Sequence, residues 1–205
     1  MFRKPHVLSD AALLMPVAAL VCTLTVETPA AAAAADAPEV TLKRGLGELL
    51  TSVKGRNNTD PVELAKRVRP ILERFFNFDS LTRRALGPGW KELNPQQQTK
   101  ATQLFTEIII RSYTNRFDPS SEVDVQFIRS VDLGGGRKEV PAVARYQGSA
   151  VAVAYRVEPG PEGWRVYDVV IEGVSLASNY RSQFDSIRQK GGPDALIRAM
   201  EDKLR

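Results

Sequence analysis

Near residue 120 of the 205-residue chain, the spacing of apolar side chains changes from a helical period to strict alternation. That switch limits the fold more than any other feature. Before it, Leu42, Leu46, Leu49, Leu50 and Val53 recur at helical spacing up to Gly55. Asp60-Pro61-Val62-Glu63 then reads as a helix start, with Asp60 as cap, Pro61 in the first turn and Glu63 completing a capping box. Leu64, Val68, Ile71, Leu72 and Phe75 form one stripe, which Pro70 must kink or split. A short helix after Asp79 carries Leu81 and Leu86 and stops at Gly87-Pro88-Gly89. Asn94-Pro95-Gln96-Gln97 opens the longest helix, with Ala101, Leu104, Phe105, Ile108, Ile109 and Tyr113 inward, ending around Phe117-Asp118-Pro119.

After the switch, Val123, Val125 and Phe127 alternate with Asp124 and Gln126, the pattern of a half-buried strand. A turn at Leu133-Gly134-Gly135-Gly136 leads to a second strand over about 138–147 and a third over 150–158. Pro159-Gly160-Pro161-Glu162-Gly163 closes a hairpin onto a fourth over 164–172. Four strands joined by turns predict an antiparallel meander. Two helices finish the chain, one holding Leu176, Tyr180, Phe184 and Ile187. The other, after Gly191-Gly192-Pro193, holds Leu196, Met200 and Leu204. Helices followed by strands define an α+β class. The third strand is apolar on both faces, with Val151, Val153, Tyr155 and Val157 on one and Ala150, Ala152 and Ala154 on the other. It is therefore expected to be covered on both sides. Whether helices pack over the alanines or the small side chains leave room for a guest stays open at this level.

The N-terminus addresses compartment. A basic start at Arg3 and Lys4, an apolar run from Ala11 to Val26 and an Ala-rich stretch up to Ala35 follow the order of a secretory signal peptide. The apolar run is shorter than the roughly 20 residues that cross a bilayer. The expected organisation is a signal peptide over 1–35 and one domain over 36–205, exported to the periplasm. Val21 before Cys22 is bulkier than lipidation favours, so no lipid anchor is expected. The leader contains the only cysteine, Cys22, and the only histidine, His6. The remaining chain has no thiol, imidazole, disulfide or Cys/His metal site. It retains 26 basic and 22 acidic residues. That modest positive charge suits weak contact with anionic headgroups and shows no basic block for nucleic acid.

The acidic residues offer little chemistry. Asp168 and Glu172, taken on one strand face, stand about 13 Å apart at a strand's rise, beyond the roughly 5–9.5 Å of a glycosidase pair. They are read as capping turns or pairing with arginines. Arg83 and Arg84 are read as a solvated helix face, and Trp90 and Trp164 as core or rim packing. Asn57-Asn58-Thr59 forms a sequon of no weight in a bacterial chain.

Two blocks are recognisable. Phe78-Asp79-Ser80-Leu81-Thr82-Arg83-Arg84-Ala85-Leu86-Gly87, with Trp90 and Asn94-Pro95-Gln96-Gln97-Gln98, resembles the first signature of the MlaC/toluene-tolerance family. So does Trp164-Arg165-Val166-Tyr167-Asp168-Val169-Val170-Ile171-Glu172-Gly173-Val174-Ser175-Leu176, running into Asn179-Tyr180-Arg181-Ser182-Gln183-Phe184. The resemblance covers about Leu42 to Leu204. It implies a nuclear-transport-factor-like α+β fold with added helices and a phospholipid whose tails enter an apolar cavity. It also implies two docking partners: an outer-membrane lipoprotein–porin complex, and a lipid-binding ring above an inner-membrane ABC transporter. Hopanoid-associated members share these blocks. No cofactor or metal is implied, and a monomer is expected. A small nuclear-transport-factor-like enzyme and an adaptor with a filled core are the competing classes.

A carrier is physically reasonable without catalytic groups. At about 0.8 kcal/mol per methylene, a 16-carbon tail exposed to water carries a penalty on the order of 12 kcal/mol. Enclosure matters more than polar contact. The expected cavity wall is Tyr167, Val169 and Ile171 of the last strand, Val153 and Tyr155 of the third, and Val125 and Phe127 of the first, with Phe75, Phe105, Ile109 and Tyr113 from helices. Pro70 and the Gly87-Pro88-Gly89 break make residues 61–90 the expected movable side.

Overall fold

The computed structural model describes residues 36–54, 60–114 and 121–205. The expected leader, the sequon and the expected end of the long helix at 117–119 lie outside the described residues. Five helices and six strands follow in order: α1 (Pro38–Val53), α2 (Pro61–Phe75), α3 (Phe78–Leu86), α4 (Pro95–Thr114), β1 (Val123–Phe127), β2 (Val131–Gly134), β3 (Arg137–Tyr146), β4 (Ser149–Gly160), β5 (Gly163–Ile171), β6 (Val174–Ser175) and α5 (Leu176–Asp202). A 3₁₀ turn over 87–92 joins α3 to α4.

Helix starts follow local chemistry. Asp60 accepts from the Val62 amide, 3.1 Å away, while the Glu63 carboxylate pairs with Lys66. The reciprocal box forms instead at Asn94 and Gln97, where each side chain accepts from the other's backbone N–H, at 2.8 and 3.0 Å. The cap of α3 is Asn77, whose side-chain oxygen accepts from Ser80 N–H. Asp79, the expected start, lies inside the first turn. Pro70 neither splits nor ends α2. It sits on the exposed side of one continuous helix. The expected pair of terminal helices is present as two arms of α5, joined at a non-helical Gly192 with φ 70°.

The sheet has the order β1-β3-β4-β5-β6, antiparallel throughout, with β2 also pairing with β3. It is thus a meander with two short additions: β2 beside the start of β3, and β6 beside the end of β5. Opposed residues share a face. Val125 faces Ala144, and Ala142 faces Val153. Between β4 and β5 the register shifts: Arg156 opposes Asp168 but Val157 opposes Val166, which leaves Tyr167 unopposed. This bulge changes which side chains meet each face.

Helices α1 and α2 lie over one face, and α3 with the start of α5 over part of the other. The main core is helical: Leu81, Ala85, Ala101, Phe105 and Met200 are fully buried among α3, α4 and α5. Phe105 meets Tyr180 and Phe184 edge-on, with centroids 4.9 and 5.5 Å apart. A smaller cluster of Leu42, Val140, Val157 and Val166 joins α1 to the sheet. The expected cover over the β4 alanines is missing. Ala150 and Ala152 are exposed and Ala154 half-buried, because α3 and α5 reach only the β5 side of that face.

Candidate functional site

Between α1, α2, the last turn of α4 and the sheet lies a cavity of about 500 Å³. Its helical wall is Leu46, Leu49, Leu50 and Val53 of α1, Leu64, Val68 and Leu72 of α2, and Tyr113 and Thr114 of α4. The sheet contributes Val123, Val125, Ala144, Tyr146 and Tyr155. A side pocket of about 160 Å³ adjoins it, lined by Leu42, Gly45, Leu46, Leu49, Leu72, Phe75, Phe76, Phe127, Tyr155 and Val166. Among the described residues, none that carries a charge lines either space. Burial raises the pKa of the Tyr155 phenol above its ordinary value, so it stays neutral at physiological pH.

Of the eleven expected wall residues, the structure brings five to these walls: Phe75, Tyr113, Val125, Phe127 and Tyr155. Six lie elsewhere. Phe105 and Ile109 belong to the helical core, because α4 is buried on more than one face and only its last turn reaches the cavity. Tyr167 is turned to the opposite face by the β5 bulge, where Arg84 and Arg137 lie over its ring at 4.7 and 5.1 Å. Val153, Val169 and Ile171 are on the cavity face by register but outside its walls. Val169 packs against the small core cluster, and Val153 and Ile171 pair with each other, half-buried.

The largest contribution missed from the sequence is the α1 and α2 stripe. Its helical spacing was visible, but spacing does not say whether a stripe meets side chains or empty space. Val123 shares the parity of Val125 and Phe127, a signal that would have placed it on the wall.

The charged groups are engaged away from the cavity. Asp168 is buried on the opposite face, where its carboxylate accepts from Arg156 at 3.2 Å, from the Ser175 hydroxyl at 2.7 Å and from the Ala177 amide at 3.1 Å. Arg156 also reaches Glu139 at 3.0 Å. Glu172 lies beyond the strand, in a turn with φ 48°, and accepts from the Ala152 amide at 2.6 Å. Asp168 thus pairs with an arginine as expected, whereas Glu172 meets a backbone amide of β4 instead of an arginine and lies off the strand face on which it was expected. Arg83 pairs with Asp79 and lies over Trp90, and Arg84 covers Tyr167. Trp164 donates to the Asp36 carbonyl on the rim of α1. Among the described residues no cluster of His, Cys, Asp and Glu could hold a metal ion, and no helix is long and apolar enough to cross a membrane.

An α+β domain whose helices stand off one sheet face to leave an apolar cavity has the architecture of a binding domain with room for a hydrophobic guest. Residues 43–202 match the family described as MlaC protein, and the chain belongs to that family. It is 25% identical over 178 residues to the intermembrane phospholipid transport system binding protein MlaC of Haemophilus influenzae, covering 83% of each chain. The solved structure of a phospholipid-binding protein from Ralstonia solanacearum in complex with a phospholipid superposes with a TM-score of 0.75. That likeness is 25% identical and covers 82% of this chain and 97% of the other.

Proposed function

We propose that this chain is a periplasmic phospholipid carrier that holds the acyl tails in the cavity beneath α1 and α2. The observation that carries the reading is an apolar cavity, with no charge among its described wall residues, in a member of the MlaC family. Both reported relatives support it: one is named for phospholipid transport, and the other is bound to a phospholipid. The energetics agree, since a tail is stabilised by leaving water and needs no polar partner along its length.

In this reading residues 1–35 are a cleaved signal peptide and the domain from about Asp36 works in the periplasm. It is the soluble component of an Mla-type ABC system, exchanging lipid with an outer-membrane lipoprotein–porin complex and with the lipid-binding ring of an inner-membrane transporter. In this reading it performs no chemistry on its cargo, and the described wall residues offer hydroxyls rather than an acid or a base. The test is mass spectrometry of lipid extracted from protein purified without detergent. Glycerophospholipid at about one molecule per chain is expected. A lipid-free extract would overturn the carrier reading, and a hopanoid in place of phospholipid would replace the cargo.

A further inference from the structure

The cavity is divided. Its main chamber and its side pocket share four wall residues, Leu46, Leu49, Leu72 and Tyr155, and Tyr155 alone of these comes from the sheet. The Tyr155 ring leans on Phe127, with centroids 5.8 Å apart, and Phe127 lines only the side pocket. Behind this pair the pocket closes on Leu42, Gly45, Phe75 and Val166, all buried.

Its depth is set by packed atoms. A Cβ added at Gly45 would stand 2.9 Å from Cγ of Phe75, closer than side chains tolerate. On its outer side the Phe75 ring is covered by the guanidiniums of Arg44 and Arg74, 5.7 and 5.1 Å from its centroid. Gly45 and Phe75 both line the side pocket, so a group added at Gly45 crowds the ring and takes up space at the pocket's end.

We propose that the side pocket behind Tyr155 and Phe127 receives the far end of an acyl chain and sets the chain length the protein prefers. This rests on the carrier reading above. Methylenes that pass the divider leave water and gain contacts with Leu42, Phe75 and Val166. Methylenes in excess of the pocket's depth stay outside or force the walls apart, and overpacking is unfavourable. A chain that is too short leaves the pocket unfilled and forgoes its contacts. Length is read by where the pocket ends.

The experiment incubates the protein with phosphatidylglycerol vesicles containing equal amounts of fourteen-, sixteen- and eighteen-carbon chains, then quantifies the lipid carried by mass spectrometry. Gly45→Ala, which crowds Phe75 at the pocket's end, is expected to shift the ratio of short to long chains several-fold in favour of short ones relative to the unaltered protein. Leu42→Ala, which deepens the pocket, is expected to shift it the other way. Variants that carry lipid with an unchanged chain distribution overturn the proposal while leaving the carrier reading intact. Shifts in the same direction for both variants overturn it as well. Unaltered protein that takes up no lipid overturns both. If Gly45→Ala does not fold, Leu42→Ala decides alone, and an unchanged distribution in it is sufficient to reject the proposal.

Discussion

Around α4, the helices α3 and α5 close until Leu81, Ala85, Ala101, Phe105 and Met200 have no accessible surface, whereas α1 and α2 hold Leu46, Leu49 and Leu72 half-buried beside empty space. The residue types are alike in the two regions. They differ in what faces the apolar stripe: another helix in the first case, and a sheet held at a distance in the second. The helical region supplies stability and so permits the cavity region to remain underpacked. A chain with only the second arrangement would forgo much of the dispersion energy that a close-packed interior provides.

That contrast can be broken by mutation. Phe105→Ala removes a fully buried ring from between Tyr180 and Phe184, and a loss of about 3–5 kcal/mol in denaturant unfolding is expected. Leu49→Ala, on the cavity wall, is expected to lose about 1 kcal/mol or less, since its side chain already borders a void, while lipid retention falls. Equal losses for the two variants would show that the cavity region is as tightly packed as the core.

Asp168→Ala tests the tie between the sheet and α5. It strips Arg156, the Ser175 hydroxyl and the Ala177 amide of a buried acceptor, and a loss of about 2–3 kcal/mol is expected with the cavity unaltered. Loss of lipid binding at unchanged stability would overturn that separation of roles.

Hydrogen exchange measured with and without phospholipid distinguishes the regions without mutation. Lipid is expected to slow exchange in α1 more than in α3, because α1 gains partners on binding and α3 is already buried. This narrows the sequence-based expectation of a movable segment over 61–90 to its first half, since α2 lines the cavity while Leu81, Ala85 and Leu86 belong to the helical core. Greater protection in α3 than in α1 would restore the whole segment, and greater protection in the strands than in residues 61–90 would overturn it.

The smallest effect concerns pH at the start of α1. Burial pushes the Glu39 carboxyl up, but hydrogen bonds from its own and Ser130's backbone, the Ser130 hydroxyl and the Lys138 charge outweigh it and hold it below its ordinary value of 4.5. A carboxylate with a lowered folded-state pKa adds stability that is full above the unfolded value and is lost as pH falls through the folded one. Glu39→Gln should therefore lower stability slightly at neutral pH and narrow its gap to the unaltered protein below pH 4.5. A gap that widens in acid contradicts the assignment.

Much of the fold was legible because helix starts and alternation are local signals. Asp60, Asn94 with Gln97, and the Val125–Phe127 alternation each mark an element directly. Strands β2 and β6, of four and two residues, were missed because they are too short to show a period. The wall was only half legible. A stripe such as Ala101, Phe105 and Ile109 shows that a face is apolar but not which neighbour it meets, and here the neighbour is α5 for Phe105. Likewise the alanine face of β4 announces small side chains, not the absence of a helix above them.

The unopposed residue in β5 acts on the strand as a phase slip acts on a wave. Up to Val166 the strand is in step with one side of the sheet, and after Tyr167 every later side chain arrives half a cycle late. Removing that one residue would put the two segments back in step with every neighbour keeping its side, since Val166 and Val169 would still face the cavity side and Asp168 the far side. A single-residue deletion at this position therefore differs in kind from one elsewhere in the strand. Deletion of a paired residue would reverse one flank instead, and the carboxylate of Asp168 is the group for which such a reversal is least tolerable.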